Sequence, residues 1–319
     1  MKLGLCTQVL YDRPLDEALE TAARLGFEAV EIPVARGSPH VDLETLLKPG
    51  AAEAFARKVA SRGLSISAVS NHAEGQLVLG PHHRDTDSIF AGSPEEKTRH
   101  GTDRLIRSAE LASRLGVNLV VGFCGCEDYS RWLPWPDPRG WESMAPTFVD
   151  RWGRILDAFD RLGVRFAMEC HPKEYAYNLE TAEETVRLLG GRKTWGFNLD
   201  PANLLLAGVD PVVFAQSLGD RIHHVHAKDG ELVKHNAARS GLLAHGPWDR
   251  RDRGFRFRIP GWGDVDWKRL LTELRLANYE GVLAVEHEDP TMSRLDGLVK
   301  ARDYLRPLLF EGAREARWW

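Results

Sequence analysis

The chain has 319 residues, 43% of them hydrophobic, enough to bury one large core or two small ones. A formal net charge of -4 argues against a nucleic-acid binder, whose domain would be basic. No apolar run approaches the roughly 20 residues that cross a bilayer, and the opening MKLGLCTQVLYDRP turns polar too soon for a secretory signal, so a cytoplasmic protein without a membrane partner is expected.

In chain order, one pattern recurs. A helix-like segment ends in Leu-Gly or Arg-Gly, and a short apolar strand follows, as in AARLGFEAVEI, ASRGLSISAVS, ASRLGVNLVVG and DRLGVRFAME. Gly26, Gly63, Gly116 and Gly163 fit the left-handed position after a helix, where glycine meets no steric penalty. Eight strands are predicted, at residues 3–6, 29–32, 65–69, 119–122, 166–169, 194–199, 222–226 and 282–286. They are rich in Val, Ile and Phe, as buried parallel strands should be. The segments between them, such as LDEALETAARL, AAEAFARKVASR, FVDRWGRILDAFDRL and WKRLLTELRLA, carry apolar residues at helical spacing.

Strict β–α alternation implies parallel strands with right-handed crossovers. Eight such units predict an α/β fold, a (β/α)₈ TIM barrel forming one domain over residues 1–319. An open doubly wound sheet would want a glycine-rich phosphate loop after the first strand, but that place reads CTQVLYDRP. Three connections, at residues 71–94, 123–146 and 228–266, are too long for simple turns. All three follow a strand, so they should rise over the C-terminal face of the barrel, where such folds keep their active sites. The four cysteines, Cys6, Cys124, Cys126 and Cys170, form no CxxC and read as reduced thiols. Trp318 and Trp319 read as packing or subunit-contact residues, compatible with a homo-oligomer.

The last four strands end in FAMECHP, GFNLDPAN, HHVHAKD and LAVEHEDP. In each, an apolar run stops abruptly at ionisable residues. Glu169, Asp200, His226 and Glu286 therefore converge if they all face the barrel axis. Buried charges need a partner, and three carboxylates with one imidazole suit a single divalent cation. Oxygen-rich ligation favours Mn²⁺, with Mg²⁺, Co²⁺ or Fe²⁺ as alternatives. Asp200 carries the main ambiguity, because Asp-Pro also starts helices, as Asp210-Pro211 does further on. Around this centre, His171 shares a side with Glu169 and is expected to donate to a substrate oxygen or to be a satisfied residue behind the ligands. Lys228 would offset surplus negative charge. Asn203, one helical turn past Asp200, and His72, at the end of the third strand, are further pocket candidates. Glu31 is a candidate wall residue or a paired core-edge carboxylate. Arg258 and Trp262 belong to an extended segment expected to close over the pocket, with Trp262 either stacking on a sugar face or packing under the loop. The five arginines of residues 250–258 suit bound phosphate, a subunit contact or a solvated loop.

These strings resemble the xylose-isomerase-like TIM-barrel superfamily of sugar isomerases and epimerases. The likeness rests on GFEAVEI, MECHP, NLDPANLL with Gly208-Val209-Asp210, HVHAKD and VEHED, and PGWGDVDW is similar to one branch of that group. It implies a carbohydrate substrate and a Mn²⁺-like ion on Glu169, Asp200, His226 and Glu286, with Glu169 and Glu286 as acid and base. The expected activity is isomerisation or epimerisation of a small keto-sugar or keto-polyol. The alternatives are a lyase or dehydratase acting on an inosose or 3-keto-glycoside, a phosphodiesterase of the AP-endonuclease kind, and a non-catalytic sugar-binding protein. Two departures matter. Asn203 stands where ketose 3-epimerases often carry histidine, and the fourth strand ends in GFCGC, without the ligands of a trinuclear nuclease site.

Overall fold

The computed structural model of the protein describes residues 1–312. Trp318 and Trp319 lie outside the described residues. Eight parallel strands close into a barrel: β1 (Lys2–Cys6), β2 (Ala29–Pro33), β3 (Ser65–Ser70), β4 (Leu119–Gly122), β5 (Arg165–Glu169), β6 (Trp195–Leu199), β7 (Ile222–Ala227) and, closing against β1, β10 (Val282–Val285). The intervening β8 (Asp229–Leu232) and β9 (Phe255–Arg258) form a separate antiparallel hairpin above the barrel mouth. The barrel strands match their sequence expectations to within a residue or two at each end, as deep as hydrophobic patterning can resolve. Gly26, Gly63, Gly116 and Gly163 all have φ between 67° and 80°.

The core has two parts. The larger packs the outward faces of the strands against the helices and includes Leu3, Leu5, Val30, Ile32, Phe166, Phe197 and Trp195. The smaller, Ala68, Leu119, Val121 and Ala167, fills part of the barrel interior with short side chains. Further toward the C-terminal end the interior turns polar. Glu31 on β2 hydrogen-bonds His224 and His226 on β7, strands that are not neighbours, so these bonds span the lumen. Register shifts occur at Val30/Glu31 and at Phe197/Asn198. Such irregularities re-aim side chains, and both lie beside groups that support the polar cluster.

The long connections are less loop-like than their composition suggests. The first contains a helix, His72–Leu79, capped by Asn71, whose side chain accepts from Glu74 N–H. His72 is therefore the first residue of a helix, not the end of β3. Its neighbour Glu74 is buried against Arg104 at 2.8 Å, a link that ties this helix to the next one, Pro94–Arg114. The third contains β8, the helix Lys234–Ser240 and β9. All four cysteines are buried and free. No helix among the described residues is long and apolar enough to cross a membrane.

Candidate metal centre

Glu169 closes β5, Asp200 follows β6, His226 sits near the end of β7 and Glu286 follows β10. Parallel strands at matched register bring these ends to one level. One ligand atom from each of the four lies within 4.8 Å of the others. Asp200 resolves its ambiguity by doing both jobs. Its Oδ1 caps the helix Pro201–Leu206, accepting from Ala202 N at 2.9 Å and Asn203 N at 3.1 Å. Its Oδ2 turns into the cluster, 2.9 Å from Lys228 Nζ. Asp210 only caps, accepting from Val212 N.

His226 shows what the cluster lacks. Its Nε2 lies 2.8 Å from Glu31 Oε2, which also bonds His224 Nε2 at 3.0 Å. Glu31 accepts only, so the proton of a neutral His226 sits on Nε2 and Nδ1 presents a lone pair. Nδ1 is fully buried and makes no hydrogen bond, although Glu169 Oε2 lies 2.9 Å away and Glu286 Oε2 3.4 Å away. A lone pair facing carboxylates is repulsive unless a cation, or a second proton on the ring, stands between them. The donor set, three carboxylates and one imidazole nitrogen with its second nitrogen fixed by an acid, therefore fits a divalent cation.

With no cation between these groups, a second proton on the imidazole takes its place. Burial works to lower His226, but Glu31, Glu286 and Glu169 outweigh it and push the imidazole well above its ordinary range. Burial pushes Asp200 up to about 7 even beside Lys228, because Glu169 and Glu286 crowd the same space. Burial also acts to raise Glu286, yet Lys228 and His226 hold it at about 2. His226 and His72 likewise overcome burial and hold Glu169 well below the usual carboxylate range. The site is one knot of negative charge knit by whatever cations it can find.

The supporting shell is dense. Asn203 donates to Glu169 Oε1 at 2.7 Å and to Asp200 Oδ2 at 3.0 Å. Asn198 donates to Glu169 Oε2 at 2.7 Å, and His72 Nε2 reaches the same oxygen at 3.1 Å. Lys228 bridges Asp200 and Glu286, both at 2.9 Å, and reaches Glu288 at 3.2 Å. Above the cluster opens a cavity of about 440 Å³ whose lining includes His72, Glu169, His171, Asn203, Lys228 and Glu286.

Several expectations need correction. Of the two readings of Glu31, the pocket wall is set aside and the paired carboxylate holds: it is fully buried and bonds His224 and His226. His171 lines the cavity, but its Nδ1 is spent on the Pro172 carbonyl. Burial lowers its basicity, so the neutral ring offers Nε2 as an acceptor, not the expected donor. Arg258 does not line the cavity: it is spent on Glu231 at 2.9 Å and Asp289 at 2.7 Å. Trp262 is also outside it, half-exposed, with the Arg258 guanidinium 5.7 Å from its ring. The arginines of that segment serve the loop itself. Arg253 donates to the Gly246 carbonyl, Arg256 pairs with Glu231 and Arg250 with Asp252, an arrangement that leaves no cluster open to phosphate. Gln8, Phe123, Trp248, Phe257 and Glu288 line the cavity without having been foreseen. Only Glu288 carried a sequence signal, two residues from Glu286 on the same strand-end side.

Fold and site together define a class: a (β/α)₈ barrel with a carboxylate–imidazole cluster at the C-terminal ends of its strands. The chain matches the xylose isomerase-like TIM barrel family over residues 19–308, and it belongs to that family. It is 29% identical to YfiH of Bacillus subtilis (strain 168), over 93% of this chain and 96% of that one. It is 33% identical to an inosose dehydratase of Clostridium tetani (strain Massachusetts / E88), over 50% of this chain and 56% of that enzyme. Among solved structures it is similar to the IolI protein with a bound zinc atom, at a TM-score of 0.68 and 19% identity, over 97% of this chain and 98% of that one. At that identity the likeness concerns the fold.

Proposed function

We propose that the protein is a divalent-metal-dependent enzyme acting on a small keto-sugar or keto-polyol. It removes the proton beside a carbonyl and returns it to the other face or to the neighbouring carbon, as an epimerase or isomerase does. The observation that carries this reading is the convergence of Glu169, Asp200, His226 and Glu286 beneath an open cavity, with His226 Nδ1 buried and unpartnered. A bound cation, Mn²⁺ by the hardness of the donor set, would polarise the carbonyl as a Lewis acid.

The remaining work falls to the chain's own residues. Glu286 has one oxygen on Lys228, while Oε1 carries no hydrogen bond among the described residues. Its side chain is 15% exposed, against 4% for Glu169. Glu286 is therefore the better placed to take a substrate proton. Glu169, pinned by Asn198, Asn203 and His72, holds a fixed orientation beside His226 Nδ1. His226 and His72 keep Glu169 ionised, and Lys228 and His226 keep Glu286 so. Lys228 also lines the cavity and can donate to a substrate oxygen. His171 Nε2 can accept from a substrate hydroxyl, which orients the ring without adding charge. General acid–base work of this kind contributes roughly 10²–10⁴-fold.

Elimination is the second reading. It shares the first proton transfer and differs in losing a β-substituent. The match to an inosose dehydratase over half the chain favours it. One experiment tests the common step. The Mn²⁺-loaded protein is incubated in D₂O with ketoses, inososes and keto-glycosides, and the products are examined by NMR. Deuterium beside a carbonyl is expected, and loss of water or of an aglycone would select elimination. If no substrate takes up deuterium or reacts, the proposal falls.

A further inference from the structure

The excursion between β7 and β10 brings two aromatic rings to the cavity, Trp248 and Phe257. Phe257 is buried, with Lys228 Nζ 5.1 Å from its ring centroid. Trp248 follows, 4.7 Å from Phe257 between centroids and inclined at 53°. It is 42% exposed, so one wall runs from the acidic floor through a buried ring to an open one. Trp248 thus stands one aromatic step beyond the ring that lies nearest Lys228.

Trp248 is held in place. The Arg253 guanidinium lies 3.9 Å from its ring centroid. Arg253 is itself only 2% exposed and donates to the carbonyls of Gly246 at 2.8 Å and Phe255 at 3.4 Å. Asn236 ties down the same loop through the carbonyls of Arg251 and Arg253. Burying a guanidinium is costly unless its donors are used, and here they fix the backbone under one ring. The result is a rigid aromatic face at the rim of a polar cavity. Such a face suits the C–H side of a sugar, which is apolar while its hydroxyls point outward.

We propose that Trp248 determines substrate specificity by stacking on the part of the substrate beyond the reacting carbons. The site then prefers a keto-sugar carrying a second ring, a keto-glycoside, over a free ketose or inosose. This rests on the reading of Glu169 and Glu286 as the reacting centre. A small ketose held at that floor leaves Trp248 without a partner, whereas a glycoside places its second ring against it.

The test uses the full-length, Mn²⁺-loaded protein and the variants Trp248→Ala, Trp248→Phe and Arg253→Met. Deuterium-exchange kinetics are compared for a keto-disaccharide and a free ketose. Trp248→Ala is expected to lower the ratio of kcat/KM between the two roughly ten-fold, through KM more than kcat. Trp248→Phe should recover most of the ratio, and Arg253→Met, which releases the ring, should fall between. Equal losses on both substrates would overturn the assignment. Calorimetry with unreactive cellobiose and glucose reads the platform without turnover. Tighter binding of cellobiose is expected, and that advantage should vanish in Trp248→Ala. No advantage in the unaltered protein would sink the platform. A cellobiose advantage without exchange on any substrate would instead sink the catalytic reading and leave the platform standing.

Discussion

At the scale of single residues, one oxygen of Glu31 sets which nitrogen of His226 faces the acids. Glu31 does not line the cavity, yet its carboxylate fixes the tautomer on which cation binding depends. Partners of this kind typically govern 10–100-fold in metal affinity. Glu31→Gln should therefore weaken Mn²⁺ binding by about that factor in calorimetry, and an unchanged affinity would remove Glu31 from the site. Glu169→Gln and Glu286→Gln test the acids directly. Each should cut the deuterium-exchange rate by roughly 10²–10⁴-fold. A sugar-binding protein without chemistry would keep its ligand affinity and show no rate to lose. Little of this was visible residue by residue. Glu169, Asp200, His226 and Glu286 stood out because each interrupts an apolar run. Asn198 did not, and the partners of Glu31 could not be named, because an amide or acid inside a strand has no distinctive neighbours until the opposite strand is known.

At the scale of elements, β6 and β7 are joined below the site by a buried histidine. His223 Nε2 lies 3.2 Å from the Lys193 carbonyl, and Arg165 reaches Nδ1 at 3.3 Å. The ring fits because Gly196 stands opposite: a Cβ there would meet His223 Nε2 at 2.2 Å and the Arg221 carbonyl at 2.4 Å. Backbone cannot step aside cheaply, so Gly196→Ala should destabilise by about 1–3 kcal/mol in urea unfolding. A neutral result would mean that the two strands slide freely here. Burial and Arg165 depress His223 from 6.5 to about 3. The unfolded chain thus holds more protons than the folded one between those values, and stability falls as pH drops from 6.5 toward 3. The slope from this group is at most about 1.4 kcal/mol per pH unit. His223→Gln should flatten that part of the pH–stability curve, and a curve with unchanged slope would assign the acid limb to other groups.

For the whole molecule, four strand ends are drawn to one point by charges that repel one another. Three carboxylates within 4.8 Å of His226 cost stability wherever they are incompletely neutralised. A cation bound there therefore couples to folding. At a hundred times its dissociation constant it adds about 2.7 kcal/mol. Calorimetric Tm should rise by several degrees on adding Mn²⁺ and fall with a chelator. A Tm indifferent to both would count against the metal centre. The barrel is the source of this coupling, because only closure makes β5, β6, β7 and β10 point their ends at a common axis.

Local sequence was enough to determine the alternation of helices and strands, the closed barrel and the four strand-end residues of the cluster. Each of those follows from periodicity, from glycine at the ends of helices or from an ionisable group ending an apolar run, and all are properties of a few consecutive residues. It could not place His72 on a helix, since Asn71 capping is indistinguishable in sequence from a turn. Nor could it separate Arg258 and Trp262, which do not line the cavity, from Trp248 and Phe257, which do. Those outcomes depend on how the β8–β9 hairpin twists and on which buried carboxylates claim which arginines. Contacts between residues far apart along the chain have no local signature, and only the folded structure decides them.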